Sequence, residues 1–322
     1  VVNTKFGLSK SDKIATAGSC FAQHIAKTLS KEGYNYFVAE KAPEYLSHED
    51  ALSKNYGVFS ARYGNLYTSR QLLQLVQRAY GLFMPEDHAW IRVKDGHYID
   101  PFRPQIEPNG FESLEALTDS RNIHLSEVRK MIEEMDVFVF TFGLTEGWRS
   151  KHDGAVFPLA PGVAGLSEHL DRYEFINFSA DEIRSDFYKF LDILREKNPK
   201  CRVIVTVSPV PLIATYENQH ALVATTYSKS VLRVVANEVS REFDFVDYFP
   251  SYEIIVGHYN KGVYFDDDLR SVNHKGVGHV MSLFKKHYLG LSNINSSDSG
   301  IPKNQDIKAK TDSFRRVAYN VV

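Results

Sequence analysis

Short apolar runs predict the strands of this 322-residue chain. Residues 136–142 form the clearest run, and its apolar positions face both ways, which is typical of a central strand in a parallel sheet. The run at residues 13–18 is short enough to be ambiguous when taken alone. Further runs with the composition of strands lie at residues 34–38, 201–207 and 243–249.

Amphipathic helices separate these runs. Phe21, Ile25 and Leu29 form one apolar stripe after the first run. Serine and glutamate at positions 179 and 182 form a capping box that begins another helix. Alternation of strand and helix predicts a three-layer α/β/α fold around a central parallel sheet. Other helices are predicted from the patterns at residues 72–79, 126–135, 231–239 and 277–288, and loop insertions at 84–110 and 153–173.

Charge and composition exclude several classes of partner. The net charge is −2, with 24% charged residues of both signs, so nothing indicates binding to nucleic acid or to an anionic membrane. No apolar run approaches the roughly 18 residues of a membrane span, and the first residues lack the apolar centre of a signal peptide. The two cysteines, Cys20 and Cys201, make no disulfide framework and favour a reducing, cytoplasmic setting.

The domain organisation follows from the same patterns. Residues 5–290 are expected to form a single α/β domain, since 43% of the chain is hydrophobic and strands and helices alternate throughout. Residues 291–322 are expected to form a polar tail or a surface strap, because serine, asparagine, aspartate and lysine dominate their first part.

Three corners at the ends of predicted strands hold the candidate chemistry, at residues 18–20, 143–146 and 208–209. Ligands of parallel sheets bind beyond the carboxyl ends of the strands, so these corners are expected to meet. Ser19 and Cys20 are the candidate nucleophiles, since the following helix N-terminus favours a thiolate or alkoxide. The structural alternatives are a helix cap for Ser19 and a buried thiol for Cys20.

Several other chemistries lack their motifs. The sequence has no Gly-rich phosphate loop ending in Lys-Ser/Thr and no dinucleotide-binding glycine motif after a strand. The twelve histidines show neither His-x-x-x-His nor paired-cysteine spacing, so no metal site is expected. No bound cofactor is expected either, although acetyl-CoA or another acyl donor remains open as a substrate.

The run Gly-Ser-Cys-Phe-Ala at residues 18–22 resembles the signature of the GSCFA-domain proteins, and the resemblance extends over about residues 5–288. This bacterial family is grouped with the SGNH/GDSL-type hydrolases and acyltransferases. The resemblance implies the flavodoxin-like SGNH hydrolase fold and acyl transfer to or from a carbohydrate or polysaccharide. An esterase and, somewhat preferred, an O-acyltransferase are both consistent with it.

The resemblance also assigns residues, block by block. Cys20 stands where SGNH-type enzymes have their nucleophile, with Ser19 as the rival if the turn shifts by one residue. Gly64 and Asn65 match the second block and would help to hold the oxyanion. In the third block Thr145 replaces an asparagine and Glu146 an aspartate, which weakens the oxyanion site because a hydroxyl has one donor where an amide has two.

The fourth block departs most from the family pattern. Asp268 is present, but Ser271 occupies the position of the catalytic histidine. Another histidine must then act as base, with Asp268 orienting it, or the protein is not a catalyst of this kind. His220 is favoured because it follows a strand-end corner, and His279 is second. The other histidines considered are His24, His258 and His274.

Alternatives of other classes remain open. The substitutions at Thr145 and Ser271 favour a catalytically inactive module that binds a glycan or a partner in the same cleft. A nucleotide-dependent transferase has support only from the expected fold. Lys229 and Arg62 are further candidates for contact with an anionic group. The sequence leaves the oligomeric state, the acyl group and the acceptor open.

Overall fold

The computed structural model describes residues 3–165 and 170–290, and its strands alternate with helices as the sequence predicts. The strands are β1 (Ile14–Gly18), β2 (Trp90–Ile91), β3 (Tyr98–Ile99), β4 (Val137–Phe142), β5 (Glu146–Ser150), β6 (Val156–Phe157), β7 (Tyr173–Asn177), β8 (Arg202–Val207) and β9 (Val246–Phe249). The polar tail or strap expected at residues 291–322 lies outside the described residues, so the domain boundary at residue 290 stays a prediction.

The helices carry the predicted apolar stripes. They are α1 (Ala22–Lys31), α2 (His48–Ser53), α3 (Ser69–Ala79), α4 (Leu114–Glu134), α5 (Ala180–Lys197), α6 (Ala221–Glu242), α7 (Ser251–Val256) and α8 (His274–Tyr288). The capping box at Ser179 is present, with the serine accepting from Glu182 N–H and the glutamate accepting from Ser179 N–H. Helix α4 begins twelve residues earlier than its predicted start at residue 126, because its first turns are mostly exposed and carry little apolar pattern.

Four parallel strands form the central sheet in the order β1-β4-β8-β9. A single parallel bridge between Ile14 and Tyr36 adds the segment around residue 36 to the sheet, on the outer side of β1. With that bridge the order is 2-1-3-4-5, the flavodoxin-like arrangement. The strand predicted at residues 34–38 is reduced to this bridge, because the Tyr34 and Tyr36 N–H groups form local turn bonds instead of a ladder.

Helices cover both faces of this sheet, which confirms the predicted three-layer fold. Along β4, Phe138 and Phe140 face a core shared with α3, α4, α5 and α6. Val137 and Val139 face a second core shared with α1, α7 and α8. Successive residues of a strand point to opposite faces, so one uniformly apolar strand supplies both cores.

Small antiparallel sheets that the sequence did not predict lie within the first insertion and on both sides of the second. Strands β2 and β3 form one, and β5 pairs with both β6 and β7 in the other. The two small sheets share a separate aromatic core that includes Trp90, Phe102 and Phe157. Because β5 begins four residues after β4 ends, this second sheet is attached directly to the corner at residue 143.

Across the described part of the chain, no helix combines the length and the apolar character that crossing a membrane requires. The cytoplasmic setting stays a prediction.

Candidate active site

The corner after β1 needs glycine. Gly18 has φ +127°, and a Cβ there would lie 2.3 Å from the Thr141 carbonyl oxygen. The close approach lets Ser19 N–H donate to Thr141 O at 3.2 Å, while the Gly18 carbonyl accepts from Leu66 N–H at 2.9 Å. The corner is therefore fixed both to β4 and to the segment before α3.

Backbone hydrogen bonds connect the corners at residues 143 and 208 to the region of the Gly18 corner. Gly143 N–H and Leu144 N–H both donate to the Tyr67 carbonyl oxygen, at 3.0 and 2.9 Å. Ser208 N–H donates to Phe142 O at 2.8 Å. The three corners singled out in the sequence therefore lie side by side at the carboxyl edge of the sheet, and all three line one cavity of about 340 Å³.

Both candidate nucleophiles line this cavity. Cys20 is exposed. Ser19 is 4% exposed, and its Oγ has no hydrogen-bond partner among residues 3–165 and 170–290. The Ser19 and Cys20 carbonyls accept from the N–H groups of Ala22 and Gln23, which begin α1. The positive end of the α1 dipole is thus next to the Cys20 side chain.

Lys229 on α6 is a buried basic group bonded to the corner at Gly143, and it is not itself among the residues that line the cavity. It is 1% exposed, and its Nζ donates to the Gly143 carbonyl oxygen at 2.7 Å. Burial lowers the pKa of Lys229 to about 7, and the charges of Cys20 and Arg270 act on it in opposite directions, Cys20 raising it and Arg270 lowering it. An amine with that pKa takes up and releases a proton near neutral pH.

Arg270 brings a positive charge to the same cavity. It belongs to the fourth block, lines the cavity, and its Nε has no hydrogen-bond partner within the described residues. Tyr67 also lines the cavity. Burial raises the pKa of Tyr67, as does the nearby charge of Cys20. Cys20 and Arg270 thus both act on the pKa values of Tyr67 and Lys229.

Asp268 and Ser271 bond to each other. The Asp268 carboxylate accepts from the Arg270 and Ser271 N–H groups at 2.9 and 2.7 Å and from Ser271 Oγ at 2.6 Å. They lie in a turn in which Asp268 is exposed and Ser271 partly buried, and neither lines the cavity. The role proposed for Asp268 in orienting a base would need an imidazole here, and the residue that this turn directs to the cavity is Arg270.

The favoured histidines lie elsewhere. His220 is exposed and caps α6, its Nδ1 accepting from Leu222 N–H at 3.1 Å. His279 bonds to the Tyr264 hydroxyl at 2.7 Å on α8, and burial lowers its pKa. No histidine in residues 3–165 or 170–290, including His24, His258 and His274, lines the cavity.

The four candidate residues for oxyanion or substrate binding lie in different places. Gly64 and Asn65 line an adjoining cleft of about 20 Å³ that shares Tyr67 with the main cavity. Thr145 is fully buried and its donors are used, the N–H by Ser228 Oγ at 3.1 Å and the hydroxyl by Asn177 Oδ1 at 2.6 Å. Of these four, only Glu146 lines the main cavity.

Glu146 is held in the cavity wall by a hydrogen bond. Its carboxylate accepts from the Thr215 hydroxyl at 2.6 Å, and burial raises its pKa. Arg62, the other cation noted in the sequence, is buried in an ion pair with Glu107 at 2.8 Å and does not line the cavity.

From the sequence, Lys229 was only a candidate contact for an anionic group, and Arg270 and Tyr67 were not singled out. Lys229 left a signal, because it precedes Leu232 and Ala236 by three and seven residues and so falls on the buried stripe of α6. A lysine on such a stripe needs a partner, which an amphipathic pattern alone does not identify. No cluster of three His, Cys, Asp or Glu side chains able to hold a metal ion occurs within the described residues.

Comparison with known proteins gives one family and several solved structures. The sequence profile of the GSCFA family matches residues 13–284, a range that includes every cavity residue named above. No curated protein matches the chain.

The chain is similar to three solved esterase structures. A carbohydrate esterase of family 3 from Talaromyces cellulolyticus is 11% identical, with a TM-score of 0.40 over 85% of this chain and 95% of that one. A serine-to-alanine mutant of an acetyl esterase with acetate ion is 12% identical, with a TM-score of 0.37 over 84% and 93%. An acetyl xylan esterase from the rumen bacterium Butyrivibrio proteoclasticus is 13% identical, with a TM-score of 0.26 over 76% and 56%.

Proposed function

The chain belongs to the GSCFA family, and from this premise and the geometry of the cavity we propose that it is an acyl-transfer enzyme with Cys20 as nucleophile. The observation that carries the proposal is an exposed thiol at a helix N-terminus that opens on a cavity, with a buried lysine bonded to the neighbouring corner at Gly143. Hydrolysis of an ester is the simplest reaction of this class. Transfer of the acyl group to a second alcohol differs only in what attacks the intermediate.

Cys20 is preferred to Ser19 for two physical reasons. A thiol ionises far more readily than a hydroxyl, and helix dipoles and neighbouring cations increase its thiolate fraction. Cys20 is also the exposed member of the pair, whereas Ser19 is packed against Gly143, where a Cβ would lie 3.3 Å from Ser19 Cβ.

Lys229 is proposed as the proton acceptor that replaces histidine. A general base works best with a pKa near the operating pH, which burial gives this amine. Serine–lysine pairs perform the same function in other hydrolases. Arg270, with the backbone N–H of Cys20, is proposed to stabilise the oxyanion, because that N–H makes no hydrogen bond to the described residues and the arginine Nε has no partner there.

The proton and the acyl group then move as follows. Neutral Lys229 takes the Cys20 proton, the thiolate attacks the ester carbonyl carbon, and the tetrahedral oxyanion faces Arg270. When the carbon–oxygen bond of the ester breaks, the Lys229 ammonium returns the proton to the leaving alkoxide, which leaves a thioester on Cys20. Water or an acceptor alcohol gives its proton to Lys229 and attacks this thioester, and the proton then returns to the departing sulfur.

Replacing each cysteine in turn tests the nucleophile. Hydrolysis of p-nitrophenyl acetate and butyrate by Cys20→Ala is expected to fall by ~10³-fold or more, as when the nucleophile of a hydrolase is removed. Cys201→Ala is the matched control, because Cys201 is fully buried at the opposite end of β8 and is expected to keep full activity. Ser19→Ala tests the rival. If Cys20→Ala keeps activity and Ser19→Ala loses it, the nucleophile is Ser19.

Two substitutions test the role of Lys229. The rate of Cys20 alkylation by iodoacetamide, followed from pH 5 to 10, is expected to reach half its maximum at a higher pH in Lys229→Met. Lys229→Arg keeps the charge but cannot accept a proton, so it is expected to keep fast alkylation and lose ester turnover. Turnover by Lys229→Arg at the wild-type rate would contradict proton transfer through this residue.

The alternative function is a binding module that has lost catalysis. The observation in its favour is that no described histidine lines the cavity, and Ser271 stands in the family's histidine position. Slow alkylation of Cys20 in the wild type together with no ester turnover would establish this alternative. The carbohydrate acceptor rests on the family resemblance alone and stays a prediction, which acetylated oligosaccharides as substrates would test.

A further inference from the structure

The cavity beside Cys20 is polar at the strand-end corner and apolar over most of its remaining wall. Cys20, Tyr67 and Arg270 form the polar part. Two loops supply most of the rest, and their cavity-lining side chains include Leu159, Val163, Val210, Pro211, Leu212 and Ile213. Apolar surface of this kind is covered favourably by an apolar ligand and not by the hydroxyl groups of a sugar.

The size of the cavity exceeds what an acetyl group needs. Its volume is about 340 Å³. At ~30 Å³ for each water-sized group, it accommodates about ten such groups, whereas an acetyl group has three non-hydrogen atoms. An acetyl ester bound at Cys20 would therefore leave most of the apolar wall in contact with water.

The cavity also extends away from the corner. Glu146 and Trp148 both line it, and the two residues lie about 7 Å apart along β5 on the same face of the strand. Trp148 packs edge-on against Tyr216, with 5.0 Å between ring centroids, and Tyr216 packs on Phe175 at 5.6 Å. The Glu146 carboxylate in this wall accepts a hydrogen bond from Thr215. The three packed rings form an elongated apolar surface.

Apolar side chains at the rim remain exposed although they face the cavity. Ile213 is 79% exposed and Val163 is 67% exposed, one on each loop. Exposed apolar side chains that converge on a groove are typical of a surface that a ligand covers. The groove is continuous with Cys20, so an occupant anchored there by its carbonyl group would extend along these side chains.

We propose that this enzyme acts on esters or thioesters of a medium-length acyl chain of about six to ten carbons, whose alkyl part lies in this cavity. The expected dependence of turnover on chain length rests on the proposed acyl transfer at Cys20. The expected binding of the alkyl chain does not. The alcohol or thiol part of the substrate leaves from the polar end, where Arg270 lies.

The first experiment measures chain-length preference. For p-nitrophenyl acetate, butyrate, hexanoate and octanoate, kcat/KM is expected to rise about fourfold for each added CH₂, which is ~0.8 kcal/mol of apolar burial. The total from acetate to octanoate, six CH₂ groups, is then ~4 × 10³-fold. A kcat/KM that is flat or falls with chain length overturns the proposal and leaves acyl transfer at Cys20 intact.

A pair of isoleucine variants localises the effect. Ile213→Asn is expected to lower the ratio of octanoate to acetate activity by at least tenfold. Ile123→Asn is the matched control, because Ile123 is 61% exposed on α4 and is not a cavity-lining residue, so it should leave the ratio unchanged. Equal ratios in the two variants overturn the assignment of the alkyl chain to this cavity.

A binding measurement separates the failure of this proposal from the failure of the proposed function. Octanoate and acetate are titrated into Cys20→Ala by calorimetry, so that no turnover is needed. Octanoate is expected to bind at least a hundredfold more tightly than acetate, and Ile213→Asn in the same background is expected to remove the difference. If octanoate binds in this way but the wild type hydrolyses no ester, acyl transfer is wrong and the alkyl site stands. If esters are hydrolysed but octanoate binds no better than acetate, the alkyl site is wrong.

Discussion

Replacing Lys229 with methionine is expected to change the stability of the protein in opposite directions at low and high pH. Methionine keeps the unbranched apolar stem and removes the amine. In the wild type this amine is fully buried and donates to Gly143 O at 2.7 Å. When the amine is protonated, the cost of burying its charge exceeds the stabilisation from that hydrogen bond. When the amine is neutral, only the hydrogen bond contributes.

Below pH 7 the wild type carries the whole cost of the buried charge. The pKa of Lys229 falls from 10.5 to about 7 because of burial. At 1.36 kcal/mol per pKa unit the difference corresponds to ~5 kcal/mol. Methionine removes this cost but leaves the Gly143 carbonyl without its donor, at ~1–3 kcal/mol. Lys229→Met is therefore expected to be ~2–4 kcal/mol more stable than the wild type at pH 6.

Above pH 7 the difference shrinks and then reverses. The folded wild type loses the Lys229 proton near pH 7, while the unfolded chain keeps it up to 10.5. In that window the unfolded state binds one more proton, so the wild-type free energy of unfolding rises by ~1.36 kcal/mol per pH unit relative to the variant. Near pH 10 only the lost hydrogen bond remains, and the variant is expected to be ~1 kcal/mol less stable.

Urea unfolding at pH 6, 8 and 10, followed by tryptophan fluorescence, measures these free energies. The matched control is Lys130→Met, at a position on α4 where the side chain is 49% exposed. Its free energy relative to the wild type is not expected to change sign. A difference for Lys229→Met that is constant from pH 6 to pH 10, or a variant less stable than the wild type at pH 6, would refute the reasoning.

Two substitutions test the framework around the site. Gly18→Ala puts a Cβ 2.3 Å from Thr141 O at φ +127° and is expected to cost ~3 kcal/mol or more. Gly33→Ala, at φ +72° with no atom within 4 Å, is expected to cost ~1–2 kcal/mol, so equal melting temperatures for the two would contradict the clash. Asn273→Ala removes the cap that accepts from Gly276 N–H at 3.0 Å at the start of α8, with an expected loss of ~1–2 kcal/mol by thermal unfolding; an unchanged melting temperature would show that the cap does not contribute.

Local sequence was sufficient for the layers of the fold and for the glycine corner after β1. The apolar run at residues 136–142 predicts β4 because only a strand buried on both faces tolerates it, and the structure confirms this. The capping box at Ser179 fixes the start of α5 through contacts within four residues. Gly18 marks the corner because the backbone conformation there excludes a side chain.

The same patterns did not predict the sheets in the insertions. Strands β2, β3 and β6 are two residues long, which is too short for a period-two pattern. The partner of β5 on its other side, β7, begins 23 residues after β5 ends, so a local pattern cannot predict that pairing. The apolar wall at residues 158–163 follows from this pairing, so the shape of the cavity was not accessible from local sequence.

The sequence by itself determined which faces of the helices and strands are buried and where the candidate nucleophiles stand. Only the tertiary structure decided which charged groups meet at that corner. Lys229 is separated from Cys20 by about two hundred residues, and in the sequence His220 was favoured as the base with His279 second. The distance between groups on different elements depends on the crossing of helices and the path of loops. Periodicity records which way a side chain points and carries no information about what lies opposite.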